Sequence, residues 1–184
     1  LLLLYDLGER WVNIEAFYTV SGVLPVPAFA PLHFSLFDLI KTAGAARLAF
    51  LLGGACQVAL LFGWRTRWVH LASLLFLVSA RTRNPLLSHG GDSVLTALVV
   101  WTWFLPLGAR WSLDARRAAR HGDPPPAARN APSLAAFAAI FQIGFVYFTT
   151  AVAKSGVTWH DGTAVYYALH IDQFATPLGL AIGN

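Results

Sequence analysis

"LAAFAAIFQIGFVYFTTAVA", Leu134–Ala153, runs for twenty residues without a charged side chain. A helix rises about 1.5 Å per residue, so about 20 apolar residues match the roughly 30 Å hydrocarbon core of a bilayer. The stretch reads as a membrane-spanning helix, and the residue that follows it is a lysine, Lys154. An ammonium is costly near hydrocarbon, so the sequence poses the question of what this one is for.

Further runs lie to either side. Thr42–Gly63 has the length of a span, with Arg47 near one end where it can snorkel. Trp68–Ala80 and Ser93–Gly108 are shorter, and Pro106 stops the second. The chain opens on an apolar "LLLL" and closes on another run that begins at Phe174. Of 184 residues, 57% are apolar and 12% charged, against roughly 25% charged in soluble domains. A soluble all-α core is the competing reading, but it leaves too little polar surface to cover so many apolar runs. The expectation is an all-α, polytopic transmembrane helix bundle of about five spans plus interfacial segments. The lack of any methionine and the abrupt opening read as one domain, 1–184, truncated at both ends.

The charge of +4 comes from eleven arginines and two lysines against nine acids. Arg65 and Arg67 follow the second expected helix, and Arg110, Arg116, Arg117, Arg120 and Arg129 follow the fourth. The loop expected between, Arg81–Asp92, holds only Arg81 and Arg83. The positive-inside rule places the Arg/Pro-rich loop 109–133 in the cytoplasm and Lys154 toward the extracytoplasmic side of an integral membrane protein. Arginines facing anionic lipid explain the basic stretches without a nucleic-acid partner. The stretch Arg116–Pro132 reads as an exposed connection, and the aromatic, proline-punctuated Phe17–Lys41 as an interfacial segment.

The extracytoplasmic side then collects Asn84, His89, Asp92, Lys154, His160, Asp161, His170 and Asp172. Lys154 has two readings: a snorkeling lysine at a helix end, or a partly desolvated amine that serves as general base. His89 and Asp92 in "SHGGD", and His160 and Asp161 in "WHDG", are pocket candidates. They lack zinc spacing, and the lone Cys56 supplies neither a disulfide nor a cysteine-based metal site, so no metal is expected. "GGDS" also supplies capping chemistry, which makes Asp92 a first-turn residue of the next helix.

Three pieces carry a resemblance: the "RNP…GGD" loop, the "PLGARWSLD" helix exit, and "YFTTAVAKSGVTWHDGTAVYY". Together with "AFYTVSGVLP" they resemble the HTTM (horizontally transferred transmembrane) domain family, related to vitamin K-dependent γ-glutamyl carboxylase. The resemblance implies that Lys154 matches the lysine that deprotonates reduced vitamin K, or another quinol, on the extracytoplasmic side. It also implies a secreted peptide or protein as substrate and the lipid bilayer as partner. Ala109 stands where the carboxylase has a catalytic histidine, which separates family from activity. The alternative is a non-catalytic membrane component of secreted-peptide maturation or export, as in sporulation-delaying systems. A third reading is a lipid or quinone carrier with a slot along Phe17–Phe37.

Overall fold

The structure, a computed structural model, describes residues 1–23, 35–122 and 133–171, together with 176, 177 and 179. Arg129, Asp172, residues 24–34 of the interfacial segment and most of the closing run lie outside the described residues. The described residues are helical, without a strand. They form two compact units, Leu1–Ala139 and Ile140–Asn184.

In the first unit, α1 (Leu2–Trp11) and α2 (Ile14–Tyr18) precede a 3-10 turn, Leu36–Leu39. They are followed by α3 (Ala43–Leu61), α4 (Thr66–Arg83), α5 (Gly90–Trp103) and α6 (Leu113–His121). Thr42 Oγ1 caps α3 by accepting the Ala45 N–H. The helix then buries one stripe, Ala46, Phe50, Gly53 and Gln57, at spacings that follow the 3.6-residue turn. Gly53 lets α4 come close, since a Cβ there would meet the Phe76 ring at 2.6 Å. Phe76 packs edge-on to Phe50 and Phe37, and Tyr18 closes the cluster against both.

More polar than apolar residues are buried among those described, with Thr19, Ser73, Ser79, Arg83, Asn84 and Asp92 almost inaccessible. The outer faces are apolar, with Leu48, Leu51, Leu52 and Trp68 exposed on α3 and α4. Water selects the opposite arrangement.

The helix α7 (Leu134–Ala153) continues into the second unit, which holds α8 (Val157–His160) and α9 (Ala164–Leu169). No side chain of α7 is buried, and Ile140, Phe141, Tyr147, Phe148 and Val152 are open. Among the described residues two helices, α3 and α7, are long and apolar enough to cross a membrane.

Two expectations change. Arg81 and Arg83 are not in a loop: α4 runs through them, because both side chains find partners beside the helix. Arg81 reaches Thr96 and Ser93, on α5, and Arg83 donates to the Thr19 carbonyl. The stretch expected as an exposed connection begins as the helix α6. Ser112 Oγ caps it by accepting from the Ala115 N–H, Asp114 occupies its first turn, and Gly122 ends it in the left-handed conformation.

Candidate functional site

Arg10 is the centre of a buried polar cluster in the first unit. Its Nε donates to the Asp6 carboxylate at 3.0 Å, one helical turn back on α1. Its Nη1 donates to Tyr18 Oη at 3.1 Å, and its Nη2 to Asp92 Oδ1 at 2.7 Å. Asp92 Oδ2 accepts the His89 N–H at 3.0 Å, so the carboxylate closes the start of α5 and neutralises Arg10 at once. Burial is the strongest influence on the Tyr18 phenol and pushes its pKa up, while Arg10 works against it. The phenol thus keeps its proton at neutral pH.

A second group lies at the end of α4. Arg83, 2% exposed, donates through Nη2 to the Thr19 carbonyl at 3.0 Å, and its Nε lies 3.8 Å from Asp38 Oδ1. Asn84 beside it is fully buried, and Ser35 Oγ donates to the Ser79 carbonyl at 2.6 Å. Arg83 and Asn84 of "RNP" and Asp92 of "GGD" are therefore interior, whereas the His89 side chain between them is largely exposed, with Nε2 3.8 Å from Asp92 Oδ1.

In the second unit Lys154 directly follows α7 and is exposed. Gly156, at φ 104°, turns the chain into α8. The Lys154 ammonium lies 5.1 Å from the centre of the Trp159 ring, a cation–π contact. His160 and Asp161 are exposed in the turn that ends α8. His170 sets Nδ1 2.7 Å from the Tyr166 carbonyl, and its ring lies against that tyrosine. No group of three His, Cys, Asp or Glu side chains among the described residues could hold a metal ion.

Of the residues singled out from sequence, His89 and Asp92 come together in the first unit, and Lys154, His160 and Asp161 share the turn after α7. Asp6, Arg10, Tyr18 and Arg83 were not anticipated as site residues. The signal for Asp6 and Arg10 was their four-residue spacing in an apolar helix, which pairs opposite charges on one face.

At the other end of α5 lies a cavity of about 620 Å³, with Arg67, His70, Trp103 and Ala109 among its lining. Ala109 and Asp92 thus lie at opposite ends of α5. No family model, no curated protein and no solved structure matches the chain.

Proposed function

We propose that the chain is an integral membrane protein of HTTM type, a polytopic bundle of about five spans that acts on a secreted peptide or protein at the extracytoplasmic face. What supports the membrane part of this reading is the burial pattern of the first unit, with Arg10, Arg83, Asn84 and Asp92 inside and many leucines outside. Ionisable groups inside a lipid-facing bundle pair with one another and mark function by default. In this reading α4 and α5 cross together with α3 and α7, and loop 109–133 is cytoplasmic.

For the activity, we propose carboxylase-type chemistry with Lys154 as base. A reduced quinone needs a proton acceptor and an aromatic or apolar wall; Lys154 Nζ and the Trp159 indole are residues of those types. Bound there, the quinol would supply the reducing equivalents for oxygen. This chain's own part is to take a proton at Lys154 Nζ, which requires the neutral amine.

A second reading, the non-catalytic maturation or export component, is favoured by the exposure of Lys154 directly after α7, where a long stem lets the head group snorkel to the interface. The proposed topology also sets Ala109 and Lys154 on opposite sides of the bilayer.

The experiment is quinol epoxidation by the full-length protein in nanodiscs, with naphthoquinol and oxygen, comparing wild type and Lys154→Ala after both are shown to fold. Turnover lost in the variant supports the base. Equal turnover sinks Lys154 as the base, and no turnover in a folded protein that binds quinol sinks the activity and leaves the non-catalytic reading.

A further inference from the structure

The cavity at the Trp103 end of α5 shares no residue with the Arg10 cluster. Its volume of about 620 Å³ falls within the range of roughly 300–1,000 Å³ that small-molecule sites occupy. Most of its lining is apolar, including Trp103, Phe104 and Leu105, and Phe104 is exposed at 64%. The charged groups that line it are Arg67 and Asp114.

These two differ in availability. The Asp114 carboxylate accepts the N–H of Arg65 at 2.8 Å, the N–H of Thr66 at 2.7 Å and Thr66 Oγ1 at 2.8 Å. His70 is tied as well, with Nε2 2.9 Å from the Val99 carbonyl. The Arg67 guanidinium is exposed and lies 5.9 Å from the centre of the Trp103 ring, with no carboxylate paired to it among the described residues. Arg65 lies two residues before it, over Trp64, and Arg117 is close enough to Asp114 to act on its charge. Arg67 thus stands at the edge of an apolar hollow, with Arg65 and Arg117 adding positive charge near its neighbours Thr66 and Asp114. Basic pockets between helices on the cytoplasmic side take anionic lipid headgroups.

We propose that this cavity binds an anionic phospholipid of the cytoplasmic leaflet, with Arg67 at the headgroup phosphate and Trp103 and Phe104 against the adjoining acyl chain. The placement rests on the topology proposed above. That topology is tested separately by cysteine labelling at positions 117 and 161, so failure of the lipid site and failure of the topology are distinguishable.

The test is thermal unfolding of the full chain in neutral detergent with added phosphatidylglycerol, phosphatidylcholine or inorganic phosphate. Phosphatidylglycerol is expected to raise the midpoint saturably, while the other two do not. Arg67→Gln is expected to weaken the apparent affinity about fivefold, the effect of one basic residue at an anionic surface. Ala109→Trp, which fills the cavity and leaves the charge unchanged, is expected to abolish the effect. Equal stabilisation by phosphate alone would mean a free-anion site, and equal stabilisation by phosphatidylcholine a mere lipid contact; either overturns the proposal, as does unchanged affinity in Arg67→Gln. If the variants do not fold, photoactivatable phosphatidylglycerol on the wild-type protein decides: adducts within residues 64–70 or 103–114 support the site, and adducts confined elsewhere overturn it.

Discussion

Arg10 and Asp92 stand 82 positions apart and meet in the interior at 2.7 Å, joining the first helix to the start of the fifth. Asp6 and Tyr18 complete the guanidinium's partners, so the arginine is held from α1, α2 and α5 together. Removing Asp92 strips the guanidinium of one of its two carboxylates, while Asp6 still balances the charge. Asp92→Ala is expected to cost about 1–3 kcal/mol, that of a lost buried hydrogen bond to a charged group, read from unfolding in detergent. Arg10→Met combined with Asp92→Leu should recover part of that loss, though Asp6 and Tyr18 then lose a partner. If Asp92→Ala unfolds like wild type, the pair contributes nothing to the fold.

Asp114 ties the turn before α4 to α6, and its pKa reports this. Partial burial, the largest influence, would raise it, but the bonds from Thr66 and Arg65 and the nearby Arg117 prevail and hold it below the usual carboxylate range. The folded pKa is depressed, so the stability gained is present above the unfolded value of about 4 and is lost as pH falls through the folded one. Asp114→Asn should therefore unfold at lower temperature than wild type at pH 7, with the gap closing below about pH 4. A gap independent of pH would show that the charge is not what matters.

Gly63 has φ 66°, and a Cβ there would meet the Ser112 Cβ at 2.3 Å. Gly63→Ala combines backbone strain of roughly 1–2 kcal/mol with overpacking of about 1–3 kcal/mol. Gly44→Ala serves as the control, since a Cβ at Gly44 meets nothing within 4 Å. Comparable unfolding midpoints for the two variants would argue against the close approach.

Lys154→Arg separates the two roles of that residue. Arginine keeps a cation over Trp159 and does not deprotonate in proteins. If Lys154 is a base, quinol turnover falls as far in Lys154→Arg as in Lys154→Ala. If it is a snorkeling cation, Lys154→Arg retains the expression and thermal stability that Lys154→Ala loses.

Topology is read by labelling single cysteines, Arg117→Cys and Asp161→Cys, in a Cys56→Ser background with a membrane-impermeant thiol reagent. In intact cells position 161 should react and position 117 only after lysis. The reverse pattern would invert the proposed orientation.

Local signals in the sequence carried much of the fold. The apolar run that predicts a helix over 134–153 coincides with α7, and "GGDS" places Asp92 in the first turn of α5. Arg81 and Arg83 misled because charges beside an apolar run mark its end only when they face water, and Arg83 is satisfied by a carbonyl 64 positions away. Likewise nothing near Asp92 announces Arg10. Ser112 and Gly122 mark the two ends of α6, and the Pro- and Arg-rich composition around and after Gly122 masks that signal. Of the candidate site, Lys154 stood out by local contrast, whereas the buried cluster depends on long-range pairing that composition does not encode.

The joint between Gly63 and Ser112 bears on how the chain is made. Translation delivers Arg65 and Thr66 with their N–H groups unmet, and the carboxylate that satisfies them, Asp114, is synthesised 48–49 residues later. Leu113 and Asp114 likewise donate their N–H groups back to the carbonyls of Phe62 and Gly63. The ribosome must therefore complete α5 before the hinge between α3 and α4 can lock. Until then the first hairpin waits half-fastened.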